Sequence, residues 1–130
     1  MKKSRFSDSE RFRVISILTK HIGRQKAIPM PVFYEQVFGE RPATVISGTR
    51  KLRSLVTELR FAGEPICSTT GGGYYLAAAG SELDDYCCRM QSQALRKLLI
   101  VSRLKKMSFQ AVCTQLELDF GNDVPVEQGA

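Results

Sequence analysis

A basic amphipathic segment that runs straight into a glycine-tipped apolar pair constrains this chain more than any other feature. Residues 49–62 read TRKLRSLVTELRFA, and residues 64–79 read EPICSTTGGGYYLAAA. Leu52, Leu55, Val56 and Leu59 recur at i, i+3, i+4 and i+7, which makes one buried stripe on a helix. Gly63 stands where such a helix stops. PICS and YYLA then read as short strands around TTGGG, where glycine supplies the positive φ of a tight hairpin. The glycines do not fit a nucleotide loop. A P-loop needs G-x-x-x-x-G-K-[ST] opening a helix, and a dinucleotide-binding turn needs G-x-G-x-x-G between strand and helix. Here a second strand follows, and no lysine adjoins the glycines.

The flanking sequence is mostly helical in pattern. From Asp8 to about Gly23, Phe12, Ile15, Leu18 and Ile22, with Val14 and Ile17, predict a helix with one wide buried face. Ser7, Asp8 or Ser9 is its expected cap. AIPMP (27–31) is extended, because a proline disfavours helix in the residue before it. Pro31 suits a first helical position, and VFYEQVF supplies about two turns. GERPATVISG (39–48) reads as a turn with a short helical piece around Val45. After Gly80 a long helix runs to about Met107, with Ser81 and Asp84 spaced as a capping box. Leu83, Cys87, Met90, Ala94, Leu98 and Val101 lie along one side of it, and Leu95, Leu99 and Leu104 widen that side. A shorter helix over 108–120 starts at a serine, and residues 121–130 read as a flexible, solvated tail. The expected fold class is mainly α with a small β-hairpin.

Composition excludes several classes. At 43% hydrophobic and 25% charged, the 130 residues are those of an ordinary globular protein. No apolar run approaches the roughly 18 residues that span a bilayer, and no signal-peptide core follows the basic start, so the cytoplasm is the expected location and no membrane is expected as a partner. Cys67, Cys87, Cys88 and Cys113 lack zinc-finger spacing, and His21 is the single histidine, so no metal and no cofactor is expected. The cysteines read instead as reduced packing residues. Asp84 and Asp85 sit side by side in a helix's first turn, where they favour its dipole rather than form a catalytic pair. No enzyme is expected. The net charge is +6, and residues 1–26 hold eight Lys/Arg against Asp8 and Glu10. A basic first half and an acidic end point to a polyanionic partner.

The element order is helix, short strand, helix, turn, basic helix, hairpin, long helix. R-K-L-x-x-L-V-x-E-L-R-x-A-G-x-P-I-x-S-x-x-G-G-G-Y-Y-L-A resembles the second half of biotin-repressor-type winged helix-turn-helix domains, especially small phage and prophage winged-helix proteins. The resemblance covers residues 45–80 by motif and 8–44 by pattern. It implies a winged-helix domain over 1–80 and a C-terminal helical extension over 81–120. Helix 49–62 would then enter the major groove of DNA, with the hairpin as the wing. The ten residues of GERPATVISG depart from the usual turn of about three or four. Arg41 and Thr44 become candidates for contacts of their own there.

The residues of the basic helix support DNA independently. With the leucine stripe on the core, Arg50, Ser54 and Thr57 lie on the opposite face, flanked by Lys51 and Arg53. Arginine forks match guanine edges and phosphate oxygens, and hydroxyls bond to either. In the wing, Thr69, Thr70, Gly71 and Gly72, with Gly73, are expected to offer exposed backbone N–H groups to a sugar-phosphate backbone. The expected function is that of a duplex-DNA-binding transcriptional regulator or replication accessory, with a homodimer through helix 81–106. The alternative is a winged-helix module that docks protein through the wing or the long helix, since the wing holds no Lys or Arg.

Overall fold

The computed structural model describes residues 5–44 and 48–120. Five α-helices and a small antiparallel sheet appear among them: α1 (Asp8–Leu18), β1 (Ile28–Pro29), α2 (Met30–Phe38), α3 (Arg50–Phe61), β2 (Ile66–Ser68), β3 (Gly73–Leu76), α4 (Gly80–Lys105) and α5 (Phe109–Phe120). A 3-10 turn, Arg24–Lys26, precedes β1. No described helix is long and apolar enough to cross a membrane. The expected helical piece around Val45 and the tail 121–130 lie outside the described residues. The chain divides into two compact units, Met1–Tyr86 and Cys87–Ala130.

Local chemistry sets the helix ends in the first unit. Ser7 caps α1 in a full capping box: its hydroxyl accepts from Glu10 N–H (3.1 Å), and Glu10 Oε1 accepts from Ser7 N–H (3.0 Å). That backbone hydrogen bond holds the Glu10 carboxyl below its usual range. The helix stops at Leu18 rather than near Gly23. The next residues are taken by the sheet: His21 C=O accepts from Leu76 N–H (3.0 Å), and Gly23 N–H donates to Leu76 C=O (2.8 Å). Pro31 sits in the first turn of α2, as its fixed φ favours.

Thr49 occupies the N-cap of α3 and is buried. At the other end Glu64 N–H donates to Leu59 C=O and Gly63 N–H to Arg60 C=O, with Gly63 at φ 98°. That is the Schellman arrangement, in which glycine avoids the steric cost of a left-handed residue.

β3 is the central strand, with β1 and β2 antiparallel on either side and Ile28 opposite Tyr74 and Cys67 opposite Tyr75. The strand period of two splits the hairpin between two clusters. Ile66 and Tyr74 join the main core of Phe6, Val14, Leu18, Ile28, Phe33, Tyr34, Val37, Leu52, Leu55, Val56 and Leu59. Cys67 and Tyr75 turn to the other face and pack with Tyr86 and Leu83 from the first turns of α4. Each fully buried aliphatic side chain of the α3 stripe contributes about 1.5–3 kcal/mol by leaving water.

Three expectations about packing are corrected. Phe12 is not part of the wide buried face of α1: it is 74% exposed, and Val14 and Leu18 are the buried pair. Of the four cysteines only Cys67 is buried, whereas Cys87 and Cys88 are exposed. At the start of α4 the backbone is caught by Glu82 and not by the expected Ser81–Asp84 pair. Its carboxylate accepts from Ala78 N–H (2.9 Å) and Arg24 N–H (3.3 Å).

The second unit holds the rest of α4 and α5. Between them Lys106 takes φ 54° and Met107 N–H donates to Ser102 C=O (2.9 Å). Ser108 Oγ accepts from Ala111 N–H (3.1 Å), a side-chain cap at the start of α5. Ser102 and Val112 are its buried residues, while Leu95, Leu99, Ile100 and Leu104 are exposed.

Candidate nucleic-acid interface

At about 100° per residue, burying Leu52, Leu55, Val56 and Leu59 turns residues 50, 54, 57 and 61 outward. Arg50, Arg53 and Thr57 are exposed as expected, but Ser54 is only half-exposed. Thr57 Oγ1 donates to Arg53 C=O (2.9 Å), which leaves the oxygen lone pairs to face outward as acceptors. Phe61 completes this line one turn further on and is 72% exposed. Helical periodicity alone places Phe61 opposite the leucines, a signal present in the sequence.

The other cations of α3 have fixed positions. Lys51 Nζ lies 4.3 Å from the Phe38 ring centroid at the end of α2. Arg60 faces inward. Its Nε donates to Ile66 C=O (2.8 Å), and its guanidinium lies 5.9 Å from the Tyr74 ring and 5.3 Å from the Tyr86 ring. Burial pushes the Tyr74 phenol up from its usual range, against the pull of Arg60.

The hairpin tip is more self-contained than expected. Gly72 N–H donates to Thr69 C=O (3.1 Å), Gly73 N–H to Thr69 Oγ1 (3.0 Å), and Thr69 N–H to Gly73 C=O (2.8 Å). Gly72 takes φ 88°. Gly73 belongs to β3 and is buried; a Cβ there would stand 3.2 Å from Ala27 Cβ and 3.3 Å from Ile28 O. The expected row of open N–H groups therefore shrinks to Thr70 and Gly71, because Thr69 uses its own groups to close the turn.

In the connection before α3, Arg41 Nε lies 3.4 Å from Glu35 Oε2 and remains largely exposed. Thr44 Oγ1 accepts from Gly48 N–H (2.8 Å). At the N-terminal end of α3 the fold adds two residues that local spacing did not connect with it. Arg5 and Phe6 line a cleft of about 330 Å³ together with Arg50 and Lys51.

Nothing here forms a metal site: no group of three or more His, Cys, Asp or Glu is placed to hold an ion among the described residues. His21 Nδ1 lies 2.8 Å from Lys26 O, a turn contact. Comparison with protein-family models, curated proteins and solved structures finds no match to this chain.

Proposed function

We propose that the first unit is a winged helix-turn-helix that binds duplex DNA, with α3 in the major groove and the β2–β3 hairpin as the wing. The observation that carries this is the outward line of Arg50, Arg53 and Thr57 on a helix that leads directly into a small hairpin. Arginine at the start of the line reads guanine or phosphate, the Ser54 hydroxyl bonds to a base edge or a phosphate, and Thr57 Oγ1, its proton given to Arg53 C=O, accepts from a base-edge donor. Lys51 neutralises a phosphate beside them. Thr69, Thr70, Gly71 and Gly72 bring a small tip up to the backbone, mainly by shape. The resemblance of residues 45–80 to small phage and prophage winged-helix proteins supports a transcriptional regulator or replication accessory in the cytoplasm.

Fluorescence anisotropy with a labelled random-sequence duplex across a salt series tests this. Non-specific binding with a dissociation constant of about 10⁻⁴–10⁻⁶ M is expected, weakening steeply as salt rises. Arg50→Ala/Arg53→Ala is expected to lower the slope of log K against log salt by about 2. An absence of binding at low salt overturns the proposal. Exposed Phe12 and Phe61 would then make protein docking the better account.

Pairing of two copies through α4 belongs to the same proposal. Leu95, Leu99, Ile100 and Leu104 leave apolar side chains in water. Arg89, Arg96, Lys97, Arg103 and Lys105 make α4 basic, whereas Glu117 and Asp119 make α5 acidic. A second copy related by a two-fold axis sets each acidic α5 against a basic α4, a self-complementary contact. Sedimentation equilibrium is expected to give about 29 kDa, twice the chain's 14.5 kDa, and Leu95→Asp/Leu99→Asp is expected to give the single-chain mass. A wild type that stays at the single-chain mass at high concentration rejects the pairing.

A further inference from the structure

The segment just before α1 is tied down at three points. Phe6 is buried in the main core. Its carbonyl accepts from Arg11 Nη1 (2.7 Å). Ser7 is locked by the capping box with Glu10. Arg5, the next residue out, is therefore delivered to a fixed place, with its guanidinium 5.1 Å from the Phe6 ring centroid. That place is the cleft of about 330 Å³ at the N-terminal end of α3, where Arg50 and Lys51 form the other wall.

Three cationic residues thus line one cleft. None of the three has a carboxylate partner among the described residues. Lys51 helps hold the Glu10 carboxyl below its usual range, but that carboxylate already accepts from Ser7 N–H (3.0 Å). Like charges held together repel at an effective dielectric below that of water, so an anion in the cleft relieves the repulsion. The first N–H groups of α3 add a positive helix end on the same side. Two guanidinium forks and an ammonium match the several oxygens of a phosphate better than one carboxylate.

We propose that this cleft seats one backbone phosphate of the duplex lying along α3, and so sets the register of Ser54 and Thr57 on the bases. The assignment rests on the duplex-binding proposal above and adds Arg5 to it as the residue that completes the site. Phosphate contacts fix register and orientation, while base contacts specify sequence.

Two measurements on the full chain test it. In the anisotropy salt series, Arg5→Ala is expected to lower the slope of log K against log salt by about 1, and Lys20→Ala, an exposed cation outside the cleft, to leave it unchanged. In an amide NMR titration with inorganic phosphate, Arg5, Arg50 and Lys51 are expected to shift together and saturate, and Arg5→Ala to abolish the shifts. Duplex binding with an unchanged slope in Arg5→Ala overturns the cleft while leaving DNA binding intact. Equal losses in Arg5→Ala and Lys20→Ala also overturn it, because diffuse charge then accounts for both. Phosphate-induced shifts without any duplex binding overturn the backbone assignment and the duplex proposal together, leaving a site for a free phosphate.

Discussion

Replacing Phe33 with alanine is expected to cost about 3–5 kcal/mol of folding stability. The ring is fully buried, with 0% exposure, and stands 5.7 Å from the Tyr74 ring at an interplanar angle of 57°. Its removal takes away both the transfer free energy of a large side chain and the tilted aromatic pair. Phe33 belongs to the main core, so its truncation adds a cavity to the lost transfer term. Net stabilities of domains are about 5–15 kcal/mol, so about a fifth or more of the total is at stake. In urea unfolding of the first unit the midpoint should fall sharply while the slope stays constant. The companion change Phe12→Ala removes an equally large ring that is 74% exposed, and its effect should stay within about 0.5 kcal/mol. A loss below about 1 kcal/mol for Phe33→Ala, or a large one for Phe12→Ala, would reverse their assigned positions.

Those two phenylalanines also mark where the sequence is legible. The stripe of Leu52, Leu55, Val56 and Leu59 is visible because four large apolar residues at helical spacing on an otherwise polar helix leave one possible inward face. Gly63 and Pro31 are visible for an equally local reason, since positive φ and a missing N–H each fit few places. Phe12 misleads because α1 is apolar over too wide an arc, so periodicity cannot choose which residues reach the core. The end of α1 misleads because its competitor is remote: the groups of His21 and Gly23 that would continue the helix bond to Leu76 in β3. β1 is short for the same reason. Its extended shape is dictated by proline, but its pairing with β3 is made across the fold. At the candidate interface the sequence shows which cations belong to α3. It does not show that Arg60 turns inward or that Arg5 arrives from the other end of the unit, because tertiary contacts decide both.

Arg60 provides the sharpest separation between structure and binding. It lies in the last turn of α3 and is as basic as Arg50 and Arg53, so a reading from charge alone would count it among the DNA contacts. Its Nε instead holds the Ile66 carbonyl at 2.8 Å, and its guanidinium faces the Tyr74 and Tyr86 rings. The one side chain therefore joins α3, the hairpin and the first turns of α4. Arg60→Ala leaves the Ile66 carbonyl without this donor and removes two cation–π contacts. A charge-assisted hydrogen bond is worth about 1.5–3 kcal/mol and a cation–π contact about 0.5–2 kcal/mol, so a destabilisation of at least about 2.5 kcal/mol is expected. Arg60→Lys should recover only part of it, because an ammonium lacks the planar fork that reaches a carbonyl and two ring faces at once. The second readout is what a merely exposed arginine would not give. At temperatures where the variant remains folded, Arg60→Ala should leave the salt slope of duplex binding where the wild type has it, whereas Arg53→Ala should lower it by about 1. A stable Arg60→Ala with a reduced salt slope would put Arg60 on the phosphate backbone and remove it from the joint between helix and hairpin.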